Sequence, residues 1–219
     1  MRALAVADEV DERLWSCGFH DTSVDLVLGA GDLPFDYLAF LADALDRPCV
    51  FVPGNHDPDL SGFTRFGGLS MRDGFPREWP GPPGAVNADG RVVDVAGLRI
   101  AGLGGSVRYN DGPNQWTQAQ QTRRARRLVR AAQRRRRKDG RGVDILLTHA
   151  PPRGLGDRED PPHQGFECLQ WTVERLRPKW LLHGHIHPYG EPQPDRRIGE
   201  TRVRNVVGRH VMDLGEVAA

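Results

Sequence analysis

The chain has 219 residues, of which 38% are hydrophobic and 27% are charged, and its formal net charge at pH 7 is +1. This balance is typical of one soluble globular domain with a buried core, predicted here over residues 1–219. No apolar run approaches the roughly 18 residues that a membrane helix requires, so we expect no membrane association. The N-terminus meets acidic residues at once, which argues against a signal peptide and favours a cytoplasmic protein.

Polar residues follow each strand that is predicted in the first half of the chain. Strands are expected at residues 3–7, 24–30 and 48–52, and helices at residues 11–22 and 34–46. The strands lead into Asp8, Gly31-Asp32 and Gly54-Asn55-His56-Asp57. Alternating strands and helices predict a largely parallel sheet, and ligands of such a sheet bind beyond the carboxyl ends of its strands. We therefore expect these polar residues to converge on one site.

The second half of the chain repeats this arrangement after a loop-rich stretch. Residues 59–90 are rich in Gly and Pro and are expected to form an irregular surface excursion, followed by a hairpin from Arg91 to Leu103. A long helix is expected from about Thr117 to Lys138, with an inner face of Ala125, Leu128, Val129 and Ala132. Strands at residues 143–147 and 179–182 lead into Thr148-His149 and Gly184-His185-Ile186-His187. A helix around Phe166–Leu176 separates them, and closing strands are expected at residues 201–207 and 211–214.

The residues at the strand ends are those that bind transition metals. His185 and His187 are two residues apart, and at strand spacing they project to the same side, although such a pair also occurs in surface turns. Together the strand ends supply Asp8, Asp32, Asn55, His56, Asp57, His149, His185 and His187. This mixture of oxygen and nitrogen donors suits Mn, Fe or Zn, and no suitably placed Cys indicates a structural zinc site. Asp32 is the best candidate for a carboxylate that bridges two ions.

The order of these motifs, D…GD…GNHD…H…GHxH, resembles the calcineurin-like metallophosphoesterase superfamily over nearly the whole chain. The Thr-His-Ala-Pro-Pro element is similar to the small phosphodiesterase-like branch. The resemblance implies a four-layer α/β/β/α sandwich that holds two divalent metal ions. It also implies that metal-bound hydroxide hydrolyses a phosphodiester or a phosphomonoester, so the expected partner is a phosphate-ester substrate.

The resemblance assigns a role to each motif residue. Asp32 would bridge the metals, one metal would be held by Asn55, His149 and His185, and the other by Asp8 and His187. His56 matches the residue that contacts the phosphate or protonates the leaving group, and Asp57 matches the residue that orients it.

One departure from the family pattern concerns the first motif. The usual D-x-H is replaced by Asp8-Glu9-Val10, and Val10 cannot bind a metal. Either water or a nearby carboxylate, from Glu9, Asp11 or Glu12, would fill the gap. The alternation of side chains along a strand turns Glu9 away from Asp8, which favours water. We expect the metal held by Asp8 and His187 to bind more weakly than the other.

Two further features lie outside the motifs, a polar loop and an arginine-rich helix. Arg108, Tyr109 and Asn110 lie in a Gly-flanked loop that is expected to reach the mouth of the site. Arg108 and Asn110 are the candidate substrate-binding residues, and the alternative for Arg108 is a surface ion pair. The segment from Arg123 to Lys138 is rich in arginine, and its simpler interpretation is a solvated helix face. The alternative is an anchor for nucleic acid, on a low-turnover metal- or nucleic-acid-binding protein that uses the same scaffold. The natural substrate and the oligomeric state are left open.

Overall fold

The computed structural model describes residues 1–17, 23–191 and 193–215. The helices are α1 (Glu12–Cys17), α2 (Phe35–Leu45), α3 (Gln118–Asp139) and α4 (Cys168–Leu176), with a short 3-10 helix at Pro161–His163. In chain order the strands are β1 (Arg2–Ala7), β2 (Leu26–Gly29), β3 (Cys49–Phe51), β4 (Phe63–Phe66), β5 (Leu69–Arg72), β6 (Phe75–Pro76), β7 (Val86–Asn87), β8 (Val92–Val95), β9 (Leu98–Leu103), β10 (Ser106–Val107), β11 (Gln115–Trp116), β12 (Ile145–Thr148), β13 (Trp180–His183), β14 (Arg196–Ile198), β15 (Thr201–Asn205) and β16 (Gly208–Asp213).

Two mainly parallel sheets organise these strands. The first has the order β16-β1-β2-β3-β7, and the second has the order β14-β15-β13-β12-β9-β8. Their central strands are parallel, and antiparallel strands close both edges of the second sheet and one edge of the first. The central strands are short apolar runs that are buried throughout, as parallel strands covered on both faces must be. The carboxyl ends of β1, β2, β3, β12 and β13 carry the polar motifs.

Three hydrophobic clusters separate four layers of structure. Between the sheets, side chains such as Leu28 and Val50 meet Ile100 and Leu147. On the outer face of the first sheet, α1 and α2 bury a cluster that includes Tyr37. On the outer face of the second sheet, α3 and α4 bury a further cluster. The α/β/β/α sandwich that the resemblance implies is therefore confirmed.

Helix α3 follows the prediction closely at both ends. Thr117 caps it, because the Thr117 hydroxyl accepts from the Gln120 amide and the Gln120 side chain accepts from the Thr117 amide. Its buried side chains include Ala125, Leu128, Val129 and Ala132, as expected. Gly140 ends it with a φ of 78°. Across residues 1–17, 23–191 and 193–215, no helix combines the length and the apolar composition that crossing a membrane requires.

The prediction of irregular structure over residues 59–90 was wrong in part. Strands β4, β5 and β6 form a small antiparallel sheet, and β7 joins the edge of the first large sheet. The turns at Gly67-Gly68 and Asp73-Gly74 have positive φ at both residues, which is the geometry of a tight hairpin. The glycines therefore connect strands rather than interrupt them. Strand β14 was also missed, and residues 18–22 of the first predicted helix lie outside the described part of the chain.

Candidate metal centre

Three predicted metal ligands occupy strained backbone positions at strand ends. Asp8, Asp32 and His185 have φ values of 59°, 56° and 70°. Residues with a side chain rarely adopt this left-handed conformation, which costs about 1–3 kcal/mol at each position. The chain turns sharply after β1, β2 and β13, so these side chains leave the alternation of the strands. Such strain is concentrated at functional sites in proteins.

Oxygen and nitrogen acceptors converge at the centre of the site. Ligand atoms of Asp32, His149 and His185 all lie within 4.8 Å of one another. His149 Nδ1 donates to the Ala30 carbonyl at 2.8 Å, so its Nε2 faces Asp32 Oδ2 at 3.2 Å and Asn55 Oδ1 at 3.0 Å. With a neutral imidazole, three acceptors meet and none donates a proton. This donor set fits a divalent cation such as Mn, Fe or Zn.

Neighbouring groups hold two of the donors in the orientation that a metal requires. His185 Nε2 donates to the Pro162 carbonyl at 2.7 Å, which leaves Nδ1 with its lone pair. The Asn55 amide nitrogen donates to the Tyr109 hydroxyl at 3.2 Å, so the amide oxygen turns toward His149. Contacts of this kind fix the tautomer and the direction of metal ligands.

The charges of the site also favour a cation. Burial raises the pKa of Asp8 to about 6, because a carboxylate is poorly solvated there. Burial alone would lower the pKa of His149, but the carboxylates of Asp32 and Asp8 raise it to about 9. Burial, with His149 nearby, lowers the pKa of His185 to about 3. His149 therefore holds a proton near neutral pH when no metal is bound, while His185 is neutral.

We expect the affinity for Mn²⁺ to rise with pH, because the cation must displace the His149 proton. Raising the pH removes this competing proton until the pKa of His149 near 9 is reached. The association constant should increase about tenfold per pH unit between about pH 7 and about pH 8. Calorimetric titrations in buffers of different ionisation enthalpy would measure the affinity and the released proton. An affinity that is constant over this range would contradict the protonated state of His149.

The first motif is arranged differently from the prediction. Asp8 Oδ2 accepts from the His185 amide at 2.9 Å, and Glu9 Oε1 lies 2.9 Å from His187 Nδ1. The expectation that Glu9 points away was wrong, because Asp8 is not extended and strand alternation ends before it. The His187 side chain is 36% exposed and lies outside the group of Asp32, His149 and His185. The first motif is thus close to the centre but more open.

His56 and Asp57 follow β3 and line a cleft next to Asp32. The His56 amide donates to Asp32 Oδ1 at 2.8 Å, and the His56 side chain is exposed in an open cleft of about 360 Å³ whose wall includes Asp32. Asp57 Oδ2 accepts from the amides of Gly54 and Asp32 at 2.7 and 3.0 Å. Asp57 therefore ties two strand-end loops together. The catalytic roles of His56 and Asp57 stay predictions.

Two glycines allow the strand ends to approach this closely. A Cβ at Gly54 would overlap the carboxylate of Asp32, and a Cβ at Gly184 would overlap the carboxylate of Asp8. Glycine is thus required before Asn55 and before His185, because a carboxylate packs directly against the backbone at both positions.

In the loop after β10, the residue that reaches the site is Tyr109. Arg108 is exposed, and the Asn110 side-chain oxygen accepts from the Gly112 amide and from the side chain of Gln115. Substrate binding by Arg108 and Asn110 stays a prediction. The loop of Arg108, Tyr109 and Asn110 was expected to reach the mouth of the site, and of the three it is Tyr109 that contacts a predicted ligand, Asn55. Sequence reasoning did not single out Tyr109. It also missed Asn114, whose amide donates to the carbonyls of Gly54 and Asp57, both at 2.9 Å.

The arginine-rich segment 123–138 extends away from the metal centre. Arg135 pairs with Asp94 at 2.7 Å, and Asp139 pairs with Arg99 at 2.7 Å, near the start of β9. The site lies beyond the carboxyl ends of the parallel strands, so residues 134–138 lie at the opposite end of the second sheet. The exposed basic run does not line the cluster of Asp32, His149 and His185.

The sequence was compared with protein-family models and with curated proteins. A family model described as calcineurin-like phosphoesterase matches residues 7–189. UPF0046 protein T07D4.2 of Caenorhabditis elegans is 29% identical over 123 residues, which are 55% of this chain and 27% of that protein. UPF0046 protein K07C11.7 of the same organism is 38% identical over 45 residues, which are 20% of this chain and 16% of that protein. The chain thus spans about a quarter or less of these curated relatives.

Solved structures share the fold over nearly the full length. One has a TM-score of 0.61 at 12% identity, covering 98% of this chain and 99% of its own. The crystal structure of TT1561 of Thermus thermophilus has a TM-score of 0.58 at 15% identity, with the same coverage of both chains, 98% and 99%. At these identities the likeness concerns the fold alone.

Proposed function

Because the chain belongs to the calcineurin-like phosphoesterase family, we propose that it hydrolyses a phosphodiester or a phosphomonoester with two divalent metal ions. The observation that carries the proposal is the convergence of Asp32, Asn55, His149 and His185 into one set of acceptors. Manganese, iron or zinc would suit this set of donors.

Different residues of the site would hold the metal ions and contact the substrate. When bound, a pair of divalent cations would supply an activated water near neutral pH and draw charge from the phosphoryl oxygens. Asp32 would contribute its carboxylate to holding both ions, and Asn55, His149 and His185 would complete the more buried position. The His56 side chain lines the same cleft as Asp32, and there it would contact the phosphate or protonate the leaving oxygen.

Hydrolysis of chromogenic esters tests this proposal directly. With Mn²⁺, the full chain should release p-nitrophenol from bis-p-nitrophenyl phosphate or from p-nitrophenyl phosphate, and chelation by EDTA should stop the release. The ratio of the two rates would identify a diesterase or a monoesterase. Absence of metal-dependent release from either ester would count against the proposed enzyme.

Asp8 and His187 would hold the second ion more weakly, because Val10 stands where the family pattern has a metal-binding His. With His187 Nδ1 donating to Glu9, Nε2 keeps its lone pair, as in other carboxylate–histidine–metal arrangements. We expect two Mn²⁺ binding events of unequal affinity. Glu9→Gln should weaken only the weaker event, by about tenfold.

Glu174→Gln is the matched control, because Glu174 is an exposed carboxylate on α4 and belongs to none of the candidate ligand sets. It should leave both events within about twofold of the unchanged protein, the scale of a distant surface charge. Two equally tight events, or equal effects of the two substitutions, would contradict the role of Glu9.

Nucleic-acid binding through Arg123–Lys138 is a separate proposal. It is supported by the exposed side chains of Arg134, Arg136, Arg137 and Lys138, for which no acidic partner is found in the described ranges. Because this run lies at the far end of the second sheet, binding there would leave ester hydrolysis unchanged. Such binding would weaken steeply with salt. We also propose that the protein is located in the cytoplasm.

A further inference from the structure

Two adjoining cavities lie outside the metal centre. The smaller, of about 300 Å³, is lined by Arg91, Arg124 and Arg127, together with Trp116. The larger, of about 500 Å³, is lined mainly by apolar groups. Phe63, Asn87 and Arg91 line both, so the cavities share a wall. Their volumes lie within the range of small-molecule sites.

The smaller cavity carries uncompensated positive charge. The charge of Arg124 is neutralised by Asp89, because the guanidinium contacts both carboxylate oxygens. The same guanidinium stacks on Trp116, 4.3 Å from the centre of the ring. Neither Arg91 nor Arg127 has an acidic partner within ion-pair distance in residues 1–17, 23–191 and 193–215. Their two guanidinium groups are available to an anion. A phosphoryl group matches guanidinium donors in charge and in geometry.

The larger cavity offers an apolar surface beside those arginines. Phe63 and Trp79 meet edge to face, with ring centres 5.4 Å apart, and Val86 and Val93 lie on the wall. A ligand with a phosphoryl group near Arg91 and Arg127 would therefore extend an apolar group between these side chains. The chemistry of the two cavities is complementary to one amphiphilic molecule.

We propose that the paired cavities form a second ligand site, which binds a phosphorylated molecule that carries an aromatic or other apolar group. The site is distinct from the metal centre, because Asp32, Asn55, His149 and His185 line neither cavity. The two sites share a border at Asn114, which lines the smaller cavity and donates to the carbonyls of Gly54 and Asp57.

Phenylphosphonate is a suitable probe, because it cannot be hydrolysed as an ester. Calorimetric titration of the full chain should show saturable binding, tighter than that of methylphosphonate. Quenching of tryptophan fluorescence gives a second readout, because Trp79 and Trp116 line the cavities. Arg91→Ala and Arg127→Ala should each weaken the binding about tenfold, the value of one hydrogen bond between charged groups.

Arg130→Ala is the matched control, because Arg130 is exposed on the same helix and lines neither cavity. It should change the affinity less than twofold if only long-range charge is lost. Binding should persist in EDTA, because no predicted metal ligand lines either cavity, and binding that requires Mn²⁺ would overturn a site separate from the metal centre. Absence of binding, an equal loss with Arg130→Ala, or equal affinity for both phosphonates would overturn the site.

Discussion

Asp32→Asn is expected to reduce Mn²⁺ affinity by about 100-fold or more and to abolish metal-dependent ester hydrolysis. Partners that only orient a metal ligand already contribute about 10- to 100-fold, and Asp32 supplies the carboxylate at the centre of the cluster. Asparagine keeps the size of the side chain and can still accept the hydrogen bond from the His56 amide. The substitution therefore removes charge while it preserves the loop. Calorimetric titration with Mn²⁺ and the chromogenic assay would measure both losses.

Asp43→Asn is the matched control for this substitution. Asp43 is exposed on α2, remote from the acceptor cluster, and loses the same charge. It should retain the metal affinity and the rate of the unchanged protein. If Asp32→Asn binds Mn²⁺ as tightly as Asp43→Asn does, the carboxylate of Asp32 is not a ligand.

His56→Ala is expected to lower the turnover number about 100-fold or more while the Mn²⁺ affinity is retained. Proton transfer by a positioned side chain contributes about 10²- to 10⁴-fold in enzymes. The backbone amide of His56, and not its ring, holds Asp32, so the metal centre should remain intact. The loss should be larger for phenyl phosphate esters than for p-nitrophenyl esters, because p-nitrophenolate leaves without needing a proton.

His210→Gln provides the comparison for His56→Ala. His210 lies on β16, and its Nε2 donates to the Val207 carbonyl, away from the acceptor cluster. This variant should keep the rates on both kinds of ester. Equal losses of His56→Ala on phenyl and p-nitrophenyl esters would assign His56 to phosphate binding instead of to leaving-group protonation.

Much of the candidate site was predictable because the sequence pattern shows where the buried strands end. Buried apolar runs such as residues 24–30 and 179–182 end abruptly in Asp or His, and parallel topology brings such ends to one edge. The structure brings Asp32, His149 and His185 together, as this argument predicts, and their binding of a metal stays a prediction. Residues 59–90 were harder, because glycines that form tight hairpin turns look the same in sequence as glycines in an irregular loop.

The side-chain contacts around the centre could not be predicted from spacing. Glu9 contacts His187 only because Asp8 adopts a left-handed conformation, which strand alternation cannot anticipate. Tyr109 reaches Asn55 from a loop more than fifty residues away in sequence. Both contacts depend on how the two sheets are placed relative to each other. They emerge only once the four layers are assembled.

The central claim is that the strand ends form one cage for divalent cations, and a crystal soaked in Mn²⁺ tests it most directly. Anomalous difference density at the manganese edge should show a peak within about 2.0–2.4 Å of Asp32, Asn55 Oδ1, His149 Nε2 and His185 Nδ1. A second, weaker peak is expected between Asp8 and His187. The claim would be contradicted by a loaded crystal in which those four side chains hold no ion.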